Sequence, residues 1–395
     1  MKGFSSTIRW LGSVKLTVFL FLLAMALIFS GTIAQVDHDS SAVVRRYFHS
    51  WLVWINLRQF LPYSGQFWSL SVPFPGGGMV GGLLALNLTA ATLIRFRLSI
   101  RYIMVVLIHA GILLLLISEA ATAMLLEEGV MTIREGQSSH FAEDRSLVEL
   151  VIVDVSDPAE DIVYAVPQSM VERQDRLITH PALPFAIRIC RWLPDSVVHE
   201  LSKAGGEPHR DNPATVGAGL LYRALPSSRP IHAANTSGNT PSLYVTIEQE
   251  GQVLDTCLVS LYFTSYEQMV IDGKPYRLSL RPRRIPKQYT MHLLEFNKEV
   301  HGGTNRPKSF ASRLRLVDPL QNEDREIMIT MNRPFRYMGD TFYQYSYTSD
   351  EKGTQLLVVR NPVKILPYIS SIVICTAMFM YFISSAAVMN RRAAR

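Results

Sequence analysis

Cysteine is scarce in this chain, with three residues in 395. No two of them stand as C-x-x-C, which excludes the usual thiol oxidoreductase pattern, and no C-x-x-C-H segment is present to hold haem covalently. Cys375 falls inside an apolar run and reads as a small apolar side chain. Cys190 and Cys257 are distant in sequence, and whether they pair is left open. Enzyme signatures are missing too: there is no P-loop, no G-x-S-x-G and no H-E-x-x-H. The ten histidines are scattered, no two of them at i, i+3 or i, i+4, so an all-protein metal site is not indicated.

Acidic residues are absent from three short basic pieces, 1–13, 95–101 and 390–395, and that absence carries topology. What surrounds these pieces is long apolar runs, Val14–Ala34, Met79–Ile94, Tyr102–Leu126 and Val363–Met389. About 20 apolar residues cross the roughly 30 Å of a bilayer core. Three runs meet that length easily. The second, VGGLLALNLTAATLI (80–94), carries Asn87 and two threonines, and qualifies once Gly76–Met79 are added. The first run is too long for the apolar part of a cleaved signal and reads as an uncleaved span. Lys2, Arg9 and Lys15 precede the first span, Arg95, Arg97 and Arg101 join the second to the third, and Arg391, Arg392 and Arg395 follow the fourth. The positive-inside rule then puts both termini and the 95–101 loop in the cytoplasm, and residues 35–76 and 127–362 outside. The net charge of +6 is largely this signal, so the expected partner is the lipid bilayer and no nucleic acid is expected.

The expected organisation is a first span within 1–34, an extracytoplasmic loop 35–76, spans two and three within 77–126, a large outer domain 127–362, and a last span within 363–395. In the loop, RRYFHSWLVWINLRQFLPY (45–63) combines aromatic and basic residues and is expected to form an interfacial helix. The outer domain reads as β-rich. Runs such as SLVELVIVDV (146–155), SLYVTIEQ (242–249), QVLDTCLVSLYF (252–263), DTFYQYSY (340–347) and TQLLVVR (354–360) alternate or are β-branched, which suggests an antiparallel sandwich or open barrel. Residues 201–219 and 226–241 are loop-like by composition. In NRPFRYMGDTFYQYSY (332–347), Met338-Gly339-Asp340 supplies a turn, after which Phe342, Gln344 and Ser346 share one face and three tyrosines the other.

His109 is the residue whose position costs most. Eight residues separate it from Arg101, about 12 Å along a helix, so it lies in hydrocarbon on the cytoplasmic half. Ala110 and Gly111 follow, small enough to admit another helix or a flat ring. A neutral imidazole is a good axial ligand for haem iron; an interhelical hydrogen bond, to the backbone or to Asn87, is the plain alternative. Glu119 lies about 15 Å further out and about 80° round the helix, so it is not the direct partner of His109. A bis-histidine haem site needs a second imidazole, and no other apolar run in the chain contains one.

The chain resembles the ResB family of the type II cytochrome c maturation system. SVKLTVFLFLLAMALIFSGTIAQ (13–35) is similar to the family's first span, and YFHSW (47–51), FPGG (74–77) and LLALNL (83–88) to the approach to span two. IHAG (108–111) is similar to span three. SFASRLRLVDP (309–319), NRPFRYMGDTFYQYSY (332–347) and VVRNPVKILPYI (358–369) are the most specific pieces, whereas about 155–285 carries no landmark. The resemblance implies a cytoplasmic-membrane subunit that works with a ResC/CcsA-like polytopic partner. Together they would carry haem across the membrane and present it, reduced, to the C-x-x-C-H motif of apocytochrome c. It implies that His109 ligates haem b, the iron's other ligand coming from the partner, and that this chain alone is not catalytic. The competing expectation is a ResB-like scaffold or assembly factor that binds no haem.

Overall fold

In the computed structural model the residues described are 2–37, 43–60, 70–95, 102–201, 212–226, 240–301, 303 and 307–393. The apolar runs fold as helices, because a helix satisfies every internal backbone group without help from water. A short amphipathic α1 (Lys2–Leu11) leads into α2 (Val14–Asp37), followed by α3 (Gly77–Arg95), α4 (Ile103–Leu125) and α5 (Leu366–Ala393). The last four are long and apolar enough to cross a membrane. α3 begins at Gly77, so Gly77, Gly78 and Met79 are helical and lengthen the short second run, while Gly76 stands before the helix. Arg97 and Arg101 of the basic loop, and Arg395, lie outside the described residues. Between α1 and α2 the chain turns at Gly12, whose added Cβ would lie 2.9 Å from the backbone nitrogen of Ala91. Only glycine allows α3 to come that near.

The expected interfacial helix is not what residues 45–63 form. A π-helical turn, Val44–Phe48, is followed by strand β1 (Leu52–Asn56) and a 3-10 turn, Leu57–Phe60; Leu61, Pro62 and Tyr63 lie outside the described residues. β1 pairs antiparallel with β2 (Ser71–Pro75). The sequence LVWIN explains the difference: β-branched and aromatic residues alternate out and in, a strand's period. Val53 and Ile55 are buried with Leu27, Ala34, Val43 and Tyr47, while Leu52 and Trp54 face outward beside the exposed Trp51.

The chain divides into two compact units, residues 1–126 with 361–395, and residues 127–229 with 237–360. The second unit is β. Its strands are β3 (Glu127–Arg134), β4 (Ser138–Asp154), β5 (Ile162–Pro167), β6 (Leu177–Ile178), β7 (Ala186–Leu193), β8 (Ser196–Glu200), β9 (Tyr222–Pro226), β10 (Ser242–Gln249), β11 (Gln252–Ser260) and β12 (Glu267–Ile271). They continue with β13 (Lys274–Val300), β14 (Pro307–Asp318), β15 (Glu323–Thr330), β16 (Phe335–Tyr337), β17 (Asp340–Tyr347) and β18 (Gly353–Arg360). A ten-stranded antiparallel sheet runs β15-β14-β13-β4-β3-β18-β17-β16, with β12 on β13 and β5 on β4; a second sheet runs β11-β10-β7-β6. Residues 202–211 and 227–239, most of the two loop-like stretches, lie outside the described residues.

Sandwich and open barrel are both present. One core lies between the four-stranded sheet and one half of the large sheet, through Ile187, Val245, Val259, Leu150, Ile152 and Leu278. The other fills the curl of the remaining half, through Met131, Met291, Leu314, Ile329, Phe342 and Leu356. β4 and β13 are long enough to belong to both. β13 shifts register against β4 between Pro282 and Arg284 and again between Pro286 and Met291. Proline lacks the ladder donor, and a bulge lets the strand bend from one core into the other.

Within 332–347 the turn is as expected: Met338 and Gly339 both take positive φ, the geometry of a two-residue hairpin joining β16 to β17. The expected two-face alternation holds through Tyr345 and then breaks. A bulge between Gln344 and Ser346 drops Tyr345 from the ladder, and Tyr347 turns onto the rings of Phe296 and Phe310. Tyr343 and Tyr345 stay exposed, while Phe342 and Gln344 are buried.

Candidate functional site

His109 sits in the seventh position of α4, and α3 packs alongside. Its Nδ1 lies 2.9 Å from Thr92 Oγ1 on α3. The Thr92 hydroxyl in turn lies 2.7 Å from the carbonyl oxygen of Leu88, one turn back in the same helix. A hydroxyl has one proton, and a carbonyl can only accept, so that proton goes to Leu88. Thr92 Oγ1 therefore accepts from His109, which puts the imidazole proton on Nδ1. Nε2 is then the basic nitrogen. A metal-ligating histidine is commonly set up in this way, its other nitrogen donating to a fixed acceptor.

Thr92 was not singled out by sequence reasoning, although two threonines in a short apolar run were the available signal. Asn87, offered as a possible partner of His109, does other work. Its amide donates to the carbonyls of Leu11 and Ser13, and its Oδ1 accepts the Thr17 hydroxyl at 2.7 Å, tying α3 to the start of α2. Asn87 is buried and anchors the α1–α2 corner.

Gly111 lies two residues beyond His109 and so about 200° round the helix. Its neighbour is α5: an added Cβ would lie 2.5 Å from Ile374 Cγ1 and 3.3 Å from the carbonyl oxygen of Ser370. One turn pair further, Ser118 is buried on the same side, and on α5 Ser370 and Ala377 are buried. Small residues at this spacing let two helices approach closely. The small residue after the histidine thus admits a helix, on the face of α4 turned away from the imidazole. Glu119 is exposed on α4 and makes no contribution to the histidine's setting.

The β unit holds a second cluster of chemical interest. Lys287 Nζ lies 2.9 Å from Asp340 Oδ2, and the Tyr289 hydroxyl donates to the same oxygen at 2.5 Å. Lysine and aspartate side chains are 7% and 3% exposed, so the ion pair is buried. Burial and the Asp340 carboxylate push the Tyr289 hydroxyl far above its ordinary pKa. Tyr289 also meets the Tyr337 ring edge-on, and the Tyr337 hydroxyl donates to Asp318 Oδ2 at 2.9 Å. These residues pin the 332–347 hairpin to β13 and β14. His292 is half-buried beside the fully buried Met291, on the other face of β13.

Cys190 and Cys257 are free thiols. They stand on β7 and β11, and β10 runs between them, with Val245 opposite both Ile189 and Cys257. Two strand spacings amount to about 10 Å, beyond the reach of a disulfide. Cys190 Sγ faces Thr246, and burial pushes the Cys257 thiol up.

Two comparisons bear on this chain. Residues 246–384 match the model of the ResB-like family, a stretch that begins in β10, contains β11 to β18 with the 309–319 and 332–347 motifs, and runs into α5. His109 and the first four helices lie before it. Protein NrfI of Wolinella succinogenes is 26% identical over 293 residues, which is 73% of this chain and 28% of that protein. The chain therefore spans little more than a quarter of that relative's length.

Proposed function

We propose that this ResB-like protein acts in cytochrome c biogenesis as the subunit that holds haem b at His109 for a ResC/CcsA-like membrane partner. The observation that carries the proposal is the Thr92–His109 pair: it makes Nε2 the basic nitrogen of an imidazole set in an apolar span. Haem, here the cargo, supplies an iron that such a nitrogen ligates axially. One imidazole makes half of a bis-histidine site, and α1 through α5 offer no second one. The other ligand belongs to the partner. The basic pieces 1–13, 95–101 and 390–395 support a cytoplasmic position for both termini and an outer position for the β unit. The pair of subunits would carry haem outward and present it for covalent attachment to apocytochrome c, and this chain alone would not be catalytic.

The test is co-purification with the partner, followed by absorbance spectroscopy and by assay of c-type cytochromes in cells. The expected result is a haem spectrum in the wild-type complex that His109→Ala loses, with loss of mature c-type cytochromes. Equal haem content and equal maturation in the two would show that His109 is not the ligand; a scaffold that binds no haem would show no haem spectrum in either.

A further inference from the structure

Among the described residues, β1 and β2 form a two-stranded sheet that no other strand joins. Its faces differ sharply. Val53 and Ile55 are buried with Leu27, Val43 and Tyr47. The other face carries Leu52 and Trp54, each more than half exposed, with Pro75 and Pro73 opposite them in register. Trp51, at the base of the hairpin, is 73% exposed. One exposed apolar residue needs no explanation, but a contiguous apolar face marks a contact.

The level of this face follows from helix contacts. The Thr17 hydroxyl meets Asn87 Oδ1 at 2.7 Å, and Gly12 lies against Ala91, so α2 and α3 run antiparallel with Thr17 level with Asn87. Ten residues from Asn87, about 15 Å at 1.5 Å per residue, α3 begins at Gly77, level with Leu27 on α2. Leu27 lies in the core beneath β1. Beyond it, Phe29 stacks on Phe60 at 6.0 Å and Gly31 meets the Phe48 ring. The hairpin therefore stands at the Gly77 end of α3, beside the turns of α2 that run on past it. The junction is close. The N–H groups of Gly76 and Gly78 donate to the carbonyls of Trp51 and Ser50, each at 3.0 Å. An added Cβ on Gly76 or Gly77 would run into the carbonyl oxygen of Ser50 or Phe48. As a candidate span α3 supplies 18 residues, about 27 Å, close to the roughly 30 Å of a hydrocarbon core. Gly77 then marks the edge of the hydrocarbon, at the end of α3 away from the basic 95–101 loop.

Two constraints leave one environment for the hairpin. A two-stranded sheet has two open edges, whose unpaired N–H and C=O groups cannot stay in hydrocarbon. A face of leucine, tryptophan and proline, with Trp51 beside it, is not built for bulk water. The headgroup boundary meets both demands, and tryptophan concentrates there because its ring is apolar and its N–H is not. The charge agrees. Residues 43–79 hold Arg45, Arg46 and Arg58 and no Asp or Glu, and Arg46 donates to the Trp54 carbonyl at 3.4 Å. Guanidinium groups at that level suit lipid phosphates. We infer that the β1–β2 hairpin is an interfacial anchor. Its outward face, with Trp51, Leu52 and Trp54, sits among the phospholipid headgroups of the leaflet opposite the basic loop. The inference rests on α2 and α3 being spans and not on the haem reading.

The test uses the full chain in nanodiscs of mixed phosphatidylcholine and phosphatidylglycerol. Two single-tryptophan chains keep Trp54 or Trp51, the other four tryptophans being replaced by phenylalanine. Quenching by a headgroup nitroxide is expected to exceed quenching by a nitroxide deep on the acyl chain by about threefold or more, as for a face seated at the headgroup boundary. Soluble iodide should quench several-fold less than it quenches free tryptophan. Iodide access equal to that of free tryptophan, or stronger quenching from the deep label, would overturn the proposal. A second measurement leaves the chain otherwise intact: benzoylphenylalanine in place of Trp54, illuminated in the complex with the partner. Phospholipid adducts in the mass spectrum are expected. Crosslinks to the partner or to a second copy of this chain, in place of lipid, would also overturn it. The same lipid adducts from a His109→Ala chain keep this outcome separate from the haem reading.

Discussion

Thr92→Val tests the orientation of His109 most directly. Valine keeps the branched shape and removes the Thr92 hydroxyl oxygen, 2.9 Å from Nδ1. An imidazole N–H left without its acceptor in an apolar setting costs about 1–3 kcal/mol. That cost falls on the tautomer whose Nε2 is basic, and each 1.4 kcal/mol is tenfold in an equilibrium. The expected loss of haem affinity is therefore about 10- to 100-fold, the range typical of a residue that orients a metal ligand. Thr92→Ser keeps the hydroxyl and should stay within a few-fold of wild type. The assay is haem titration of the co-purified complex by absorbance, alongside nitrogen NMR of the labelled histidine in haem-free protein. The NMR should report a proton on Nδ1 in wild type and in Thr92→Ser, and a shift toward Nε2 in Thr92→Val. If Thr92→Val titrates at the wild-type midpoint and keeps the Nδ1 proton, while His109→Ala loses haem, the threonine does not orient the ligand and the argument fails.

Other outcomes follow from named contacts. Lys287→Met strands the Asp340 carboxylate in the core and should cost about 3–5 kcal/mol in denaturant unfolding of the full chain, with partial recovery when Asp340→Asn is added; an unchanged midpoint would show the pair to be hydrated. Gly111→Leu drives side-chain atoms into Ile374, and should reduce thermal stability and yield in detergent, whereas Ala110→Leu, at an exposed position, should not. Glu267 is held above the ordinary carboxylate value by burial, offset in part by the Ala218 N–H it accepts. A raised carboxylate contributes stability below its unfolded pKa and loses it as pH rises through the folded value, so Glu267→Gln should flatten that fall from the ordinary carboxylate value upward; parallel wild-type and variant pH curves would refute this.

The features legible in the chain are those that one local rule decides. Apolar length alone made α2, α4 and α5 helices, and glycine at 339 made the hairpin turn, because neither outcome depends on distant residues. β10 and β17 likewise begin and end where the runs 242–249 and 340–347 do. Aromatic and basic composition, by contrast, located residues 45–63 outside the apolar spans without specifying their backbone, and the β-branched alternation of LVWIN made a strand. β13 carries Pro282 and Pro286 at its register shifts, and the chain continues through them as one strand into two cores.

By itself the sequence determined that four helices are apolar enough to span a bilayer, that a β-rich segment separates the last two, and that a single histidine stands in the spans. Each follows from residue type and spacing along one chain. Only the tertiary structure decided that Thr92 meets that histidine, that Gly111 serves a helix and not a ring, and that β1 packs against α2. Those are relations between side chains on different elements, and hydropathy carries no record of which faces will meet.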